Sequence, residues 1–177
     1  MSTVGFRVDQ KKVLAEAVVR VAERGAVARW QGAMPEDAPE WVDADGLRFV
    51  AVDAPRKALP SIRGDAGIEG ELPADALLIL DALTQHAALA QDPGRITLHL
   101  PGLEADENGV LRGNPAGFVL EVGDGGPRAL LGRRLLTQRV ARLASLLDEA
   151  EETVAHARLI DLRYADRAVV RTESASG

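Results

Sequence analysis

The chain has no cysteine. That removes disulfides, thiolate metal ligands and a thiol nucleophile together, and it leaves the compartment open. It has no long apolar run either. The strongest, Ala76 to Leu80 (ALLIL), is far short of the roughly 20 residues a helix needs to cross a bilayer. The opening residues, MSTVGFRVDQKK, lack the basic region and apolar stretch of a secretory leader. On these grounds the chain is expected to be soluble. Positive charge is in deficit, with a formal charge of −6 over 177 residues and a pI near 5.1. A nucleic-acid binder needs a basic stripe, so scattered arginines on an acidic chain argue against that class. Apolar residues make up 46% of the chain, enough for an ordinary core in one domain, or in one domain and a fragment.

Motifs that carry chemistry are sparse. His86, His99 and His156 fall on different elements with no i, i+4 pair, so structural roles are favoured over metal ligation. Asp43 to Gly46 (DADG) could open a calcium loop, but LRFVAV follows where the closing acidic ligand belongs. A two-residue hairpin turn around Asp45-Gly46 is the better reading. GDGG at Gly123 is followed by Pro127 and a strand rather than a helix, so it reads as a turn and not as a phosphate cradle. The hydroxyls sit in no G-x-S-x-G setting. An enzyme would need a pocket built around residues such as His99 and Asp106. The balance favours a binding protein with no cofactor, no metal and no small-molecule substrate.

Patterning predicts an α+β fold, a mostly antiparallel curved sheet with two helices packed on it. Lys12 to Trp30 is ambiguous: its first half could be a helix, but from Ala17 it is better read as a strand broken near Gly25, and Trp41 to Val52 reads as a hairpin. Pro73 opens a helix with Leu77, Leu80 and Leu83 on one face. Arg95 to Leu100 alternates as a strand, and Gly117 to Gly132 reads as a hairpin. A second helix, from about Arg134 to Asp148, aligns Leu136, Val140, Leu143 and Leu147. RLIDLRY and RAVVR then form two strand halves around Ala165-Asp166, before a polar tail.

Several stretches together resemble the extracytoplasmic part of the bacterial cell-division family FtsQ, or DivIB. VVRVAERGAVARW (Val18 to Trp30) is similar to the strand that ends the family's POTRA domain, with Ala26 in place of the usual proline. VDADGLRF (Val42 to Phe49) followed by LPSIRGDAG resembles the entry to its β domain. LLGRRLLTQRVARLASLL is similar to the helix that follows the family's L-G pair. ARLIDLRYADRAVVR (Ala157 to Arg171) resembles its closing segment, with Arg167 where a glycine is usual.

The resemblance implies a POTRA-like remnant over 1–33, a β domain over 34–172 and a disordered tail over 173–177. It implies a non-catalytic divisome scaffold at the periplasmic face of the inner membrane, at the septum. Membrane contact would come only through an anchor outside this chain. The expected partners are FtsB/DivIC-like and FtsL-like division proteins, the former adding a strand to the last strand of the sheet. The residues implied are Arg163, Tyr164, Asp166, Arg167, Ala168, Val169, Val170 and Arg171. A terminal strand tends to sit at a sheet edge with unpaired N–H and C=O groups, and such an edge is a template for another strand. Two alternatives stand beside this: arginines that only guard the edge against aggregation, and another extracytoplasmic POTRA-type assembly or secretion adaptor.

Overall fold

A computed structural model describes residues 2–10, 13–21, 25–31, 40–51, 53, 55–64, 72–105, 111–113, 116–123, 125–149, 154 and 156–172. The elements in chain order are β1 (Ser2–Gln10), β2 (Val13–Val21), β3 (Ala26–Gln31), β4 (Glu40–Asp43), β5 (Arg48–Val50) and β6 (Ser61–Arg63). Next come α1 (Ala74–Gln85), α2 (Ala87–Ala90) and, after a single 3-10 turn, β7 (Ile96–His99), β8 (Leu103–Ala105) and β9 (Leu111–Gly113). The chain closes with β10 (Phe118–Val122), β11 (Arg128–Gly132), α3 (Leu136–Glu149), β12 (Ala157–Asp161) and β13 (Val169–Thr172). Residues 173–177, expected to be a tail, lie outside the described residues. Among the described residues no helix is long and apolar enough to cross a membrane.

Nine strands form one sheet in the order β13-β12-β11-β10-β7-β6-β3-β4-β5. The fold is α+β as expected, and the sheet is mixed, with five of its eight strand pairs antiparallel and three parallel. β3 runs parallel to β6, β6 parallel to β7, and β11 parallel to β12. The reason lies in the connections. α1 and α2 carry the chain from β6 to β7, and α3 carries it from β11 to β12. A helical crossover returns the chain to the end of the sheet where it started, which makes the next strand parallel. Where one helix was expected from Pro73 to about Ala90 there are two, because His86, in an extended conformation (φ −116°, ψ 119°), breaks it before α2. Among the described strands, β1 and β2 pair only with each other, as do β8 and β9. Residue 33, the expected end of the POTRA remnant, falls between β3 and β4, which are paired within the large sheet.

The core lies between the helices and one face of the sheet. The α1 stripe contributes Ala76, Ile79, Leu80 and Leu83, and α3 contributes Leu136, Val140, Leu143 and Ala144. They meet Ala28, Ile62, Leu98, Leu120, Leu131 and Ile160 from six neighbouring strands. Burying each such side chain contributes roughly 1.5–3 kcal/mol. The link between β4 and β5 is longer than the two-residue turn expected. The Asp43 carboxylate accepts the N–H groups of Asp45 (3.0 Å) and Leu47 (2.9 Å). That side chain organises a four-residue loop, with Gly46 at φ +87°, and so uses the aspartate as a turn former.

Candidate site at the carboxy-terminal sheet edge

β13 is the last strand of the sheet and pairs with β12 alone among the described strands. Its alternation divides it between two environments. Ala168 and Val170 turn to the core and pack against it. Val169 and Arg171 face the other side, opposite Asp161 and Leu159. The two apolar residues therefore hold the strand in place at the edge of the sheet.

Between β12 and β13 the chain makes a loop that is almost wholly exposed from Arg163 to Arg167. Tyr164 is 44% exposed, a large apolar residue left outside the core. The Arg167 guanidinium lies over its ring, 5.2 Å from the centroid, an arrangement that attracts a cation to the aromatic face. Asp166 is exposed in the same loop. Arg163 is engaged with its neighbour Asp161: Nε donates to Oδ1 (2.9 Å), Nη2 to Oδ2 (2.7 Å), and its backbone N–H to Oδ1 (3.1 Å). Of the residues singled out from sequence, this places Tyr164, Asp166, Arg167 and Arg171 on the surface. Arg163 is committed to a fork with Asp161, and Ala168 and Val170 to the core.

Two residues absent from that set hold the loop in shape. Arg139 on α3 donates through Nη1 to the Leu131 carbonyl and through Nη2 to the Arg163 carbonyl (2.7 Å). One turn on, Arg142 donates to the carbonyls of Tyr164 (3.0 Å) and Ala165 (2.8 Å). Residues three apart share a helix face, so two guanidinium forks satisfy three successive loop carbonyls. Burial, and then the nearby Arg142, pull the Arg139 guanidinium below its ordinary value, yet it stays a cation at any pH of interest.

The hydrogen bond from Arg163, against the opposing effect of burial, holds the Asp161 carboxyl below the ordinary carboxylate range. Its contribution to stability is therefore complete above about pH 4. It disappears as the pH falls through the lowered folded-state value. Asp161→Asn is expected to flatten that part of the acid denaturation curve while leaving the fold intact. Urea titrations from pH 2 to pH 7 would show it as a smaller difference in stability between the two ends.

Elsewhere, His99 and Glu121 meet side by side on β7 and β10 (Nε2 to Oε2, 3.1 Å). Burial draws His99 below the ordinary histidine range, although Glu121 pulls the other way. The contact is thus a hydrogen bond of a neutral ring at pH 7. His86 stands at the α1–α2 break, His156 is exposed, and Asp106 lies outside the described residues. An apolar pocket of about 480 Å³ opens beside α1, walled by Val27, Leu59, Pro60, Leu77, Leu83 and Leu89. Its polar side chains are Lys57, Asp81 and Thr84. Gln85 donates to the Asp81 carboxylate (2.8 Å) and Thr84 to the Asp81 carbonyl (2.8 Å). No nucleophile and base are paired among these described residues. No family model matches the chain, and no curated protein matches it.

Proposed function

We propose that the chain is a non-catalytic scaffold that docks an FtsB/DivIC-type partner, with FtsL, by strand addition along β13. On this reading it acts in bacterial septation on the periplasmic face of the inner membrane. The observation that carries the reading is the position of β13 at the sheet edge, where among the described strands it pairs on one side only, with β12. Main-chain hydrogen bonds along such an edge supply affinity, and side chains beside it supply selection. Tyr164 is suited to the second task, being large, stiff and polar at its tip. Arg167 and Arg171, both exposed, suit a partner segment carrying carboxylates.

Calorimetry with the soluble part of the FtsB-type protein encoded in the same genome tests this. Tyr164→Ala is expected to weaken binding by about tenfold, the loss of roughly 1.4 kcal/mol at one anchor. On binding, the backbone amides of Val169 to Thr172 should also become slower to exchange. Unchanged affinity in the variant, or exchange protection confined to other strands, would count against strand addition at this edge.

A further inference from the structure

The apolar pocket beside α1 exists because small side chains stand where large ones would fill it. Ala26, Ala44, Ala58 and Ala90 come to its walls from four separate segments. Its floor is firm, since Leu80, Leu83 and Leu89 belong to the buried core. On α1, Leu77, Leu80, Asp81 and Thr84 follow the i, i+3, i+4, i+7 spacing, so one face of the helix is turned to the pocket. The break at His86 starts α2 afresh, and Leu89 and Ala90 at its end join the same lining. The volume of about 480 Å³ lies within the roughly 300–1,000 Å³ of small-ligand sites.

Two features of the rim select what fits. Lys57 and Asp81 line the same pocket, one cation and one carboxylate, both exposed. No ion pair joins them, and among the described residues Lys57 has no partner. The Asp81 carboxylate takes only the Gln85 amide, which brings no charge. The second feature is main chain. Lys57, Ala58 and Leu59 line the pocket in neither helix nor strand. Among the described residues nothing hydrogen-bonds to their backbone. Those N–H and C=O groups still need partners, from water or from a ligand.

One apolar amino acid would answer both charges but leave most of the volume empty. A fatty acid would answer Lys57 and be opposed by Asp81. A lipid with a zwitterionic head meets both charges, but it brings no run of amides for the 57–59 backbone. A short peptide of apolar residues supplies every element. It has an ammonium for Asp81, a carboxylate for Lys57, peptide groups for the main chain and side chains for the leucine floor. Extended over about two or three residues, its charged ends lie roughly 7–10 Å apart, wide enough to reach two rim groups that do not touch each other.

We infer that this pocket binds a short apolar peptide with both termini free, its amino end at Asp81 and its carboxy end at Lys57. The site is separate from strand addition, since none of its residues belongs to β12, β13 or the loop between them.

The test titrates the full chain with trileucine by calorimetry and maps the contact by amide chemical shifts. Saturable binding is expected, with shifts at Ala58, Leu59, Thr84 and Leu89. Acetylating the amino end or amidating the carboxy end should each weaken binding about tenfold, the equivalent of one charge-assisted contact. Triglycine keeps both charges without the apolar side chains, and it should bind at least about tenfold more weakly. Lys57→Gln and Asp81→Asn should each reduce affinity for trileucine about tenfold, and in Lys57→Gln the amidated peptide should bind no worse than the free one. Ala58→Leu, which adds bulk without charge, should weaken binding at least about tenfold, whereas Arg128→Gln on β11 should leave it unchanged. Circular dichroism verifies each fold, and Ala90→Leu replaces Ala58→Leu if that variant does not fold. The inference is overturned by absence of binding, by capped peptides that bind as well as the free one, by tighter binding of monomeric dodecylphosphocholine, or by shifts confined to other parts of the chain. Loss of the FtsB-type interaction alone would leave it standing.

Discussion

Gly117→Ala is expected to destabilise the chain by more than about 4 kcal/mol, read as a large fall in the urea midpoint of unfolding. Two costs coincide there. Gly117 has φ +65°, a conformation that costs a residue with a side chain roughly 1–2 kcal/mol. A Cβ at this position would also fall within van der Waals contact of the backbone of Gly132, against its carbonyl group and Cα. Backbone cannot rotate aside as a side chain can, so β10 and β11 would have to separate at the bulge where they begin to pair. The sum exceeds about 4 kcal/mol, a large fraction of the roughly 5–15 kcal/mol that holds a domain together. Gly125→Ala supplies the control. Its φ is +71°, but a Cβ there would meet nothing within 4 Å. It should lose only the conformational part, about 1 kcal/mol. Equal and small losses in both variants would mean that the close approach of Gly117 to Gly132 is not what fixes the start of that hairpin.

Such an approach could not be read from the sequence, although much around it could. Gly-rich turns and alternating apolar residues marked β10 and β11, and the helical period of Leu136, Val140 and Leu143 marked α3. Period gives the face of an element, not its neighbour. That is why the parallel pairs were missed: β3 finds β6 only after the β4–β5 hairpin has turned back, and β12 finds β11 across a helix. β8 and β9 were hidden in a stretch rich in Gly, Asn and Asp, whereas β1 left a signal in the alternation of Val4, Phe6 and Val8 with Gly5, Arg7 and Asp9. At the candidate site, the strand itself was legible, while its edge position, with β12 as its partner among the described strands, came from the fold. The division of labour within the strand was also visible in its alternation, with Ala168 and Val170 on one side and Val169 and Arg171 on the other. The fork between Arg163 and Asp161 was not, because both could equally have faced solvent. Arg139 and Arg142 left one signal, their spacing of three on a helix, which puts two cations on one face without saying what they reach.

Those two arginines carry the other large effect. Arg139→Ala is expected to destabilise the chain by about 3 kcal/mol, since two carbonyls lose charge-assisted hydrogen bonds, each contributing roughly 1.5–3 kcal/mol. Arg139→Lys should recover little of this, because one ammonium cannot span the Leu131 and Arg163 carbonyls as the planar fork does. Arg142→Ala should cost less, about 1 kcal/mol, as its two partners lie in an exposed loop that water can reach. Gly132 belongs to the same arrangement: a Cβ there would lie 2.8 Å from Nη1 of Arg139 and 3.2 Å from Cγ of Arg163. Gly132→Ala should therefore reproduce the Arg139 defect without touching a charge. Denaturant melts measure the stabilities, and native-state hydrogen exchange separates the mechanism. If α3 fixes the loop that delivers β13 to the sheet edge, Arg139→Ala will speed exchange from Arg163 through Thr172 more than in β7 or β10. Uniform acceleration across the sheet would instead make Arg139 one more contributor to global stability, and the edge strand would owe its position to its ladder with β12 and the burial of Ala168 and Val170.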